Sequence, residues 1–466
     1  MRLQGLPSHT ARLVWLAVAV SVCFALALSG AAARADAAPD MLVGIEQNGS
    51  MEDPARRAEN FETMGLLGAK VARFVLRFDQ VARCDPRRTG AANPANPCYD
   101  WSVPAAVVAN ARAKNMQVVF SVVGVPGWYN GGQRYGVVGT TQRGFDGFVG
   151  VYADFVQAAA VQFPAVPYWT IWNEPNSSYF FSPQKVNGRL VSPQRYATLY
   201  NAAARRLKAA NPGALVAPGP TGSSSTTKPG VFIAQFLAAL PAGAPVDAYA
   251  HNPYLQDSAD PETHTRNWRS PSESTLGFPS IGLANLGDLT KLLDRDAATA
   301  GDPLWLTEFA YETAPDPAGV EAQRAAAWTA EAMYSAWTNP RVKMFIWYAL
   351  FDDGDGGAEG FQSGLFQSLG TCGQRWCPKP GAYMYRHPLH VSTERARVGD
   401  TVTLWGQGRL DAQKARIWVW EGRQWQAFDN RPDANGSLWV TWKLRGPSWF
   451  VVCDVGCGPM RQITVG

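Results

Sequence analysis

The sequence has little charge and no strong excess of either sign. Charged residues make up 17% of the 466 residues, and the formal net charge is +4 at pH 7. Such a balance does not favour nucleic acid or an anionic surface as a partner. Long apolar segments are also scarce: the run at 13–28 is shorter than the roughly 20 residues that a membrane span requires, and no later segment comes close. We therefore expect no membrane span and no nucleic-acid partner.

The one apolar run has the form of a secretory signal peptide. Arg2 and Arg12 precede it, and small residues follow it up to Ala35. We predict that residues 1–35 are a bacterial export signal and that the mature protein is secreted. Cleavage after Ala35 removes three arginines and no acidic residue, which leaves a formal charge of about +1.

Cysteine is scarce, and its spacing suits an oxidising compartment. Of the seven cysteines, Cys23 lies in the predicted signal, and the other six fall into close pairs. The pairs are Cys84 with Cys98, Cys372 with Cys377, and Cys453 with Cys457. We predict three disulfides. The alternative is a metal site, but these spacings lack a second nearby pair or histidines to complete a tetrahedral ligand set.

The composition changes near His387, where convincing helical patterns end. Beyond it, short strand-like runs are separated by Gly, Pro, Asp and Asn, which predicts a small C-terminal β-sandwich domain over 388–466. Seven of the 18 tryptophans lie there. They could form a carbohydrate-binding surface or the core of a small domain, and we favour the structural role.

Before that boundary, strand-like and helix-like patterns alternate. Eight strand candidates lie at 41–45, 71–76, 117–122, 168–173, 215–218, 248–251, 304–308 and 343–349. This alternation predicts an α/β fold, a (β/α)8 TIM barrel over 36–387. An open doubly wound sheet is the alternative, but no glycine-rich phosphate loop follows the first strand candidate.

Two of these strand candidates end in a glutamate. The run at 168–173 stops at Asn173, Glu174 and Pro175, and proline has no amide proton for a sheet. The run at 304–308 stops at Glu308. Because the carboxyl ends of barrel strands share one rim, the two glutamates are candidates for an acid/base pair.

The motif Trp172-Asn173-Glu174-Pro175, followed by a second strand-end glutamate in Thr307-Glu308-Phe309, resembles the 4/7 superfamily (clan A) of retaining glycoside hydrolases. Family 39 and related family 5 enzymes are the most similar. The resemblance covers the barrel and implies that Glu174 is the acid/base and Glu308 the nucleophile. It also implies a carbohydrate substrate, a reaction in two displacements and no cofactor.

Six further residues at the same rim are candidates for supporting roles: Asn173, Arg73, His251, Tyr254, Trp347 and Trp128. Asn173 would bind the sugar hydroxyl beside the anomeric carbon, and Arg73, with Arg77 as a competitor, would keep Glu308 ionised. Tyr254 or His251 would reach Glu308; the spacing between these two leaves the choice open.

Two tryptophans are candidates for contact with the sugar. Trp347 would form an apolar floor, because a pyranose presents C–H groups to an indole, and Trp128 would do so farther along the cleft. Glu312 is expected at the rim. A catalytically silent barrel that binds polysaccharide and a transglycosidase with the same residues are the alternative functions, and we expect a monomer.

Overall fold

The computed structural model describes residues 37–223, 225–257, 267–353, 360–368 and 377–466. The predicted signal at 1–35 and Cys372 of the third predicted disulfide lie outside them. In the described part of the chain, no helix is long and apolar enough to cross a membrane. The predicted disulfides Cys84–Cys98 and Cys453–Cys457 are both formed, which confirms those two pairs.

Nine strands form one parallel sheet in the first part of the chain. They are β1 (Leu42–Glu46), β2 (Val71–Arg77), β3 (Gln117–Val123), β4 (Tyr168–Ile171), β5 (Leu215–Pro218), β6 (Thr221–Gly222), β7 (Tyr249–Asn252), β8 (Leu304–Phe309) and β9 (Val342–Tyr348). Their order in the sheet is β5-β4-β3-β2-β1-β9-β8-β7-β6. Every neighbouring pair runs parallel.

The two edges of this sheet are joined by the chain itself. β5 and β6 stand at opposite ends of the order, yet only Gly219 and Pro220 separate them. Beside them, the backbone N–H of Asp247 donates to the carbonyl of Val216 at 2.9 Å. The sheet therefore curls round as a (β/α)8-like barrel, and the predicted strand–helix alternation is confirmed.

Helices cover the outside of the sheet. The longer ones are α1 (Pro54–Leu66), α2 (Ser102–Ala113), α3 (Gln142–Gln162), α4 (Ser192–Ala210), α5 (Pro229–Ala239), α6 (Leu286–Leu293), α7 (Ala322–Trp337) and α8 (Pro380–Arg386). Several begin with the expected signals: Asp53 accepts a hydrogen bond from Ala55 N at the start of α1, and proline lies in the first turn of α4. Their apolar faces and the strands share one large buried core.

The tail forms two small sheets. Strands β10 (Leu389–Val391), β12 (Thr401–Gln407) and β15 (Ser437–Lys443) make one, and β11 (Arg395–Ala396), β13 (Arg416–Glu421), β14 (Gln424–Ala427), β16 (Ser448–Cys453) and β17 (Arg461–Val465) make the other. Residues of both sheets, among them Leu404 and Ile417, share an apolar cluster. The predicted β-rich tail is present; its description as a sandwich and the domain boundary at 387 stay predictions.

One tryptophan of the tail packs against the barrel. Trp405 on β12 is fully buried, and its ring lies 5.8 Å from that of Trp337 and 6.0 Å from that of Tyr334, both on α7. Other tail tryptophans face outward, such as Trp425 and Trp439, which are 41% and 44% exposed. The tail thus has a tryptophan at the junction with the barrel and others at the surface, while Trp442 packs against the tail's own core.

Candidate active site

A cavity of about 440 Å³ lies at the carboxyl ends of the barrel strands. Glu46 at the end of β1, Glu174 after β4 and Glu308 near the end of β8 all line it, together with Asn173 and Tyr254. We call this cavity the cleft. A larger cavity of about 1440 Å³ lies between α7 and the tail, but none of the predicted site residues lines it. Strand ends at one rim thus bring together residues that are far apart in sequence, as the barrel topology requires.

The segment after β4 turns sharply and carries Glu174 into the cleft. Trp172 and Glu174 have positive φ angles of 78° and 39°, a backbone conformation that residues other than glycine rarely adopt. The backbone N–H of Glu174 donates to the carbonyl of Pro220 at 2.8 Å. At Gly219, an added Cβ would lie only 2.2 Å from the carbonyl oxygen of Ile171. Glycine at 219 therefore allows the link between β5 and β6 to pass close behind this turn.

The carboxyl group of Glu174 has a neutral hydrogen-bond donor beside it. Asn252 Nδ2 donates to Glu174 Oε1 at 3.1 Å. Burial raises the pKa of Glu174 to about 7, and the charge on Glu308 adds to the rise, whereas Asn252 and Arg73 work against it. The carboxyl group is therefore placed to exchange a proton near neutral pH.

Glu308 has strong donors on both oxygens. Arg73 Nη1 donates to Oε1 at 2.7 Å, and the hydroxyl of Tyr254 donates to Oε2 at 3.1 Å. The side chain is 13% exposed, and it faces the cleft. Hydrogen bonds from a guanidinium and a phenol hold the carboxyl group in one orientation.

Arg73 is completely buried and connects the site from within the barrel. Its Nε donates to Ser121 Oγ at 3.0 Å and its Nη2 donates to Asn173 Oδ1 at 2.8 Å, while Nη1 donates to both Glu308 and Glu46. Burial alone would lower the pKa of Arg73, but the charges of Glu46 and Glu308 outweigh it and raise the pKa. Arg73 is therefore a permanent cation at the centre of the site.

The competitor Arg77 lies elsewhere in the cleft. Its guanidinium binds both carboxylate oxygens of Asp79, at 2.8 and 2.5 Å, and lies 3.9 Å from the centre of the Tyr135 ring. Arg77 donates to neither glutamate of the candidate pair. Between the two arginines, the structure selects Arg73 as the partner of Glu308.

Three predicted residues need correction. His251 is fully buried, and its ring nitrogens lie 2.8 Å from Thr221 Oγ1 and 3.0 Å from the carbonyl of Ile281. Burial lowers the pKa of His251 to about 4, so the ring is neutral at pH 7. His251 therefore connects β7 with β6 inside the barrel. Tyr254 is the residue that contacts Glu308.

The two tryptophans predicted to contact the sugar, Trp347 and Trp128, also lie outside the lining of the cleft. Trp347 is 3% exposed, and its indole N–H donates to the carbonyl of Ser363 at 3.0 Å. Trp128 donates to the carbonyl of Ala82 at 3.1 Å and packs edge-on against Phe78. Because side chains alternate along a strand, the residue after Trp347, Tyr348, faces the cleft in its place.

Sequence reasoning missed Glu46 and Asn252. Glu46 ends β1 as Glu308 ends the sequence-predicted strand, so the strand-end signal was present and could have found it. Asn252 connects Glu174 with the residue before Glu308. Its Nδ2 donates to Glu174, and its Oδ1 accepts from Thr307 Oγ1 at 2.9 Å. Glu312, predicted at the rim, is instead 1% exposed and lines the cleft.

Comparisons with known proteins place the fold among glycoside hydrolases. No protein-family profile matches the chain, and no curated protein matches its sequence significantly. A family 39 glycoside hydrolase from the gut symbiont Bacteroides cellulosilyticus WH2 has a similar structure, with a TM-score of 0.57 and 17% identity over 90% of this chain and 81% of that chain.

Two further solved structures are similar along nearly their whole length. A monomeric β-xylosidase from Caulobacter crescentus CB15 gives a TM-score of 0.55 and 14% identity over 92% of this chain and 97% of that chain. A glucosidase from Croceicoccus marinus gives 0.51 and 13% over 92% and 96%. At these identities the likeness establishes the fold, so the predicted resemblance to family 39 glycoside hydrolases is confirmed at that level.

Proposed function

We propose that this protein is a retaining glycoside hydrolase that cleaves β-linked oligo- or polysaccharides. The observation that carries the proposal is the unequal environment of two carboxyl groups in one cleft. Glu308 accepts hydrogen bonds from a guanidinium and a phenol. Glu174 has neutral donors, the amide of Asn252 at 3.1 Å and the hydroxyl of Ser225, and its pKa is raised to about 7, which favours a proton on it. A carboxyl group bound by a cation and another whose pKa is raised suit a nucleophile and an acid.

In the first step Glu174 would protonate the glycosidic oxygen while Glu308 attacks the anomeric carbon. The bond to the leaving sugar breaks, and an ester forms between Glu308 and the remaining sugar. Asn173 would donate from Nδ2 to the hydroxyl beside the anomeric carbon, because Arg73 already occupies its Oδ1. Tyr254 stays protonated, since burial and the charge on Glu308 raise the pKa of its hydroxyl well above the usual range.

In the second step water would replace the enzyme on the sugar. Once Glu308 is an ester its negative charge is gone, so one cause of the raised pKa of Glu174 disappears. Glu174, now ionised, would take a proton from water as the water attacks the anomeric carbon and the ester bond breaks. The enzyme returns to its starting state, and the sugar keeps its β configuration.

A silent polysaccharide-binding barrel would have no use for this arrangement. The contact of buried Arg73 with Glu308 places a cation against one carboxyl group, which binding of a neutral glycan does not need. A transglycosidase would use the same residues, with a sugar hydroxyl in place of water in the second step. The hydrolase is our choice, with water as the acceptor.

We further propose that the enzyme is secreted and acts as a monomer. The signal-like segment at 1–35 and the two disulfides formed support export. Because the similar solved structures include a β-xylosidase and a glucosidase, β-xylosides and β-glucosides are the first substrates to test.

The test is a comparison of aryl glycosides with good and poor leaving groups. Glu308→Ala should abolish turnover of both. Glu174→Ala should lose about 10²–10⁴-fold on poor leaving groups, spare dinitrophenyl glycosides and respond to added azide, because azide needs no general base. Glu62→Ala, on the exposed side of α1, is the matched control and should behave as the unmodified enzyme. Full activity in both cleft variants would show that the chemistry lies elsewhere.

A further inference from the structure

A third carboxyl group shares the arginine of the candidate nucleophile. Glu46 at the end of β1 is 1% exposed and lines the cleft. Its Oε2 accepts from Arg73 Nη1, and its Oε1 accepts from Asn48 Nδ2 at 2.5 Å. The proposed reaction gives Glu46 no part, although burying a carboxyl group is costly unless it is paired.

The contact is with the same nitrogen that binds the nucleophile. Arg73 Nη1 lies 2.7 Å from Glu308 Oε1 and also donates to Glu46, so the two carboxyl groups share one donor nitrogen of the guanidinium. The other nitrogens of Arg73 donate to the neutral side chains of Ser121 and Asn173. Among the described residues, Glu46 and Glu308 are thus the acidic groups paired with Arg73.

The charge on Glu308 changes during the proposed reaction, whereas that on Arg73 does not. When Glu308 becomes an ester, Arg73 loses one anionic partner although it remains completely buried. A buried cation left without an anion is strongly destabilised. Among the residues that the structure describes, Glu46 is the acidic group in place to keep the guanidinium paired at that stage.

We propose that Glu46 is a positioning residue: it is the counter-ion that holds Arg73 in place while Glu308 is esterified. This inference rests on the proposed function. Before the reaction Glu46 and Glu308 share Arg73 Nη1, and Glu46, whose pKa is raised to about 7, holds a proton for part of the time. As the ester forms, Glu46 releases this proton to water in the cleft and becomes the anion of the pair. When the ester is hydrolysed, Glu46 takes a proton back.

The groups around Glu46 are consistent with that exchange. Burial raises the pKa of Glu46 to about 7, Arg73 lowers it, the charge on Glu308 raises it again, and Asn48 lowers it slightly. The phenols of Tyr254 and Tyr348 also interact with Glu46, but their raised pKa values keep them neutral. The other charged groups lining the cleft are Glu52, Arg77, Glu174 and Glu312.

The decisive experiment measures the carboxyl groups directly, without turnover. Protein labelled with ¹³C at the glutamate carboxyl carbon is titrated by NMR, and the signal missing in Glu46→Gln identifies Glu46. Glu308→Gln imitates the neutral ester, so the pKa of Glu46 should fall in it by roughly one unit or more. Glu52→Gln is the matched control. Burial raises the pKa of Glu52, and Arg77, Arg57 and Asp79 also affect it, so this change should leave the pKa of Glu46 unaltered.

A kinetic readout links this coupling to the reaction. Inactivation by 2,4-dinitrophenyl 2-deoxy-2-fluoro-β-xyloside or β-glucoside measures ester formation alone. Glu46→Gln should slow it by roughly tenfold or more, the size expected for losing a charged hydrogen bond, while Glu62→Gln, on the exposed side of α1, should not. Glu46→Asp, which keeps the charge, should recover part of the rate.

The outcomes separate the two proposals. If the unmodified enzyme is labelled but Glu46→Gln is labelled at the same rate, or if the pKa of Glu46 is the same with and without the charge on Glu308, the role of Glu46 is wrong and the function stands. If neither fluoroglycoside labels the unmodified protein and it turns over no glycoside, the proposed function fails and this inference fails with it. Melting temperatures of the variants show whether any loss is due to misfolding.

Discussion

Arg73 is the residue on which the site depends, because its contacts lie on four different parts of the barrel. It contacts Glu46 on β1, Ser121 on β3, Asn173 after β4 and Glu308 on β8. A lysine could not replace it, since a single ammonium cannot reach acceptors on opposite sides. The relative positions of Glu46, Asn173 and Glu308 therefore depend on one buried side chain.

Tyr254 provides a test of the donors on Glu308. Tyr254→Phe removes the 3.1 Å hydrogen bond to Oε2 and leaves the ring in place. Because a hydrogen bond to a charged group contributes about 1.5–3 kcal/mol, kcat/KM should fall roughly 10–100-fold with little change in melting temperature. The control is Tyr135→Phe, whose ring lies over Arg77 in the same cleft. Equal kcat/KM in Tyr254→Phe and the unmodified enzyme would contradict this role.

At this scale the sequence predicted which residues would meet but not how they would point. Glu174, Glu308, Asn173, Arg73 and Tyr254 were predicted and do lie together, because parallel strands bring their ends to one rim. The direction of a side chain after the strand ends depends on loop geometry. The turn at Glu174, with its positive φ of 39°, has no sequence signal that we could have used.

Side chains alternate between the two faces of β9, which explains why Trp347 and not Tyr348 was predicted to contact the sugar. Trp347 and Tyr348 are neighbours, so their side chains leave the strand on opposite sides. Trp347 packs against Phe309 with ring centres 6.2 Å apart, and Tyr348 lines the cleft. The predicted strand at 343–349 contained both residues, and its sequence did not indicate which of them would face the cleft.

The two neighbours should therefore respond differently to truncation. Trp347→Ala removes a large buried ring and should lower the melting temperature by roughly 6 °C or more. Tyr348→Ala should have a much smaller effect on stability but raise KM by about tenfold, because a ring facing the sugar is lost. Melting curves and steady-state kinetics on both variants give the comparison. If Trp347→Ala raises KM at unchanged melting temperature, the sequence-based prediction was correct and our correction of it is wrong.

The buried carboxyl groups of the cleft make the stability of the whole protein depend on pH. The pKa values of Glu46 and Glu174 rise from 4.5 to about 7 on folding. Between these values the folded protein keeps protons that the unfolded chain releases, so the stability contributed by these groups falls as pH rises from about 4.5 to about 7. The protein should therefore be less stable above neutral pH than its other charges alone would make it.

Glu174→Gln tests this dependence, because glutamine cannot ionise. The melting temperature of Glu174→Gln relative to the unmodified protein should rise by roughly 2–4 °C between pH 5 and pH 8. The exposed Glu62→Gln, measured in the same buffers, should show no such change. A difference between Glu174→Gln and the unmodified protein that stays constant over this range would mean that the pKa of Glu174 is not raised.

The order of strands and helices was easier to predict from the sequence than the contact between the barrel and the tail. Strand and helix periodicity is a local property, so the barrel could be predicted over nearly every strand. The packing of Trp405 against Trp337 and Tyr334 is a contact between residues about 70 positions apart, and no local pattern announces it. The function of the tail, with buried and exposed tryptophans, is correspondingly harder to infer.

The central claim is that Glu308 forms a covalent bond with the sugar while Glu174 supplies the proton. The most direct measurement is to treat the unmodified protein with the activated 2-fluoro β-xyloside and β-glucoside, digest it and locate the added sugar by mass spectrometry. We expect a single label on the peptide that contains Glu308, and none in Glu308→Gln. A label on Glu174, Glu46 or Glu312 instead would contradict the assignment.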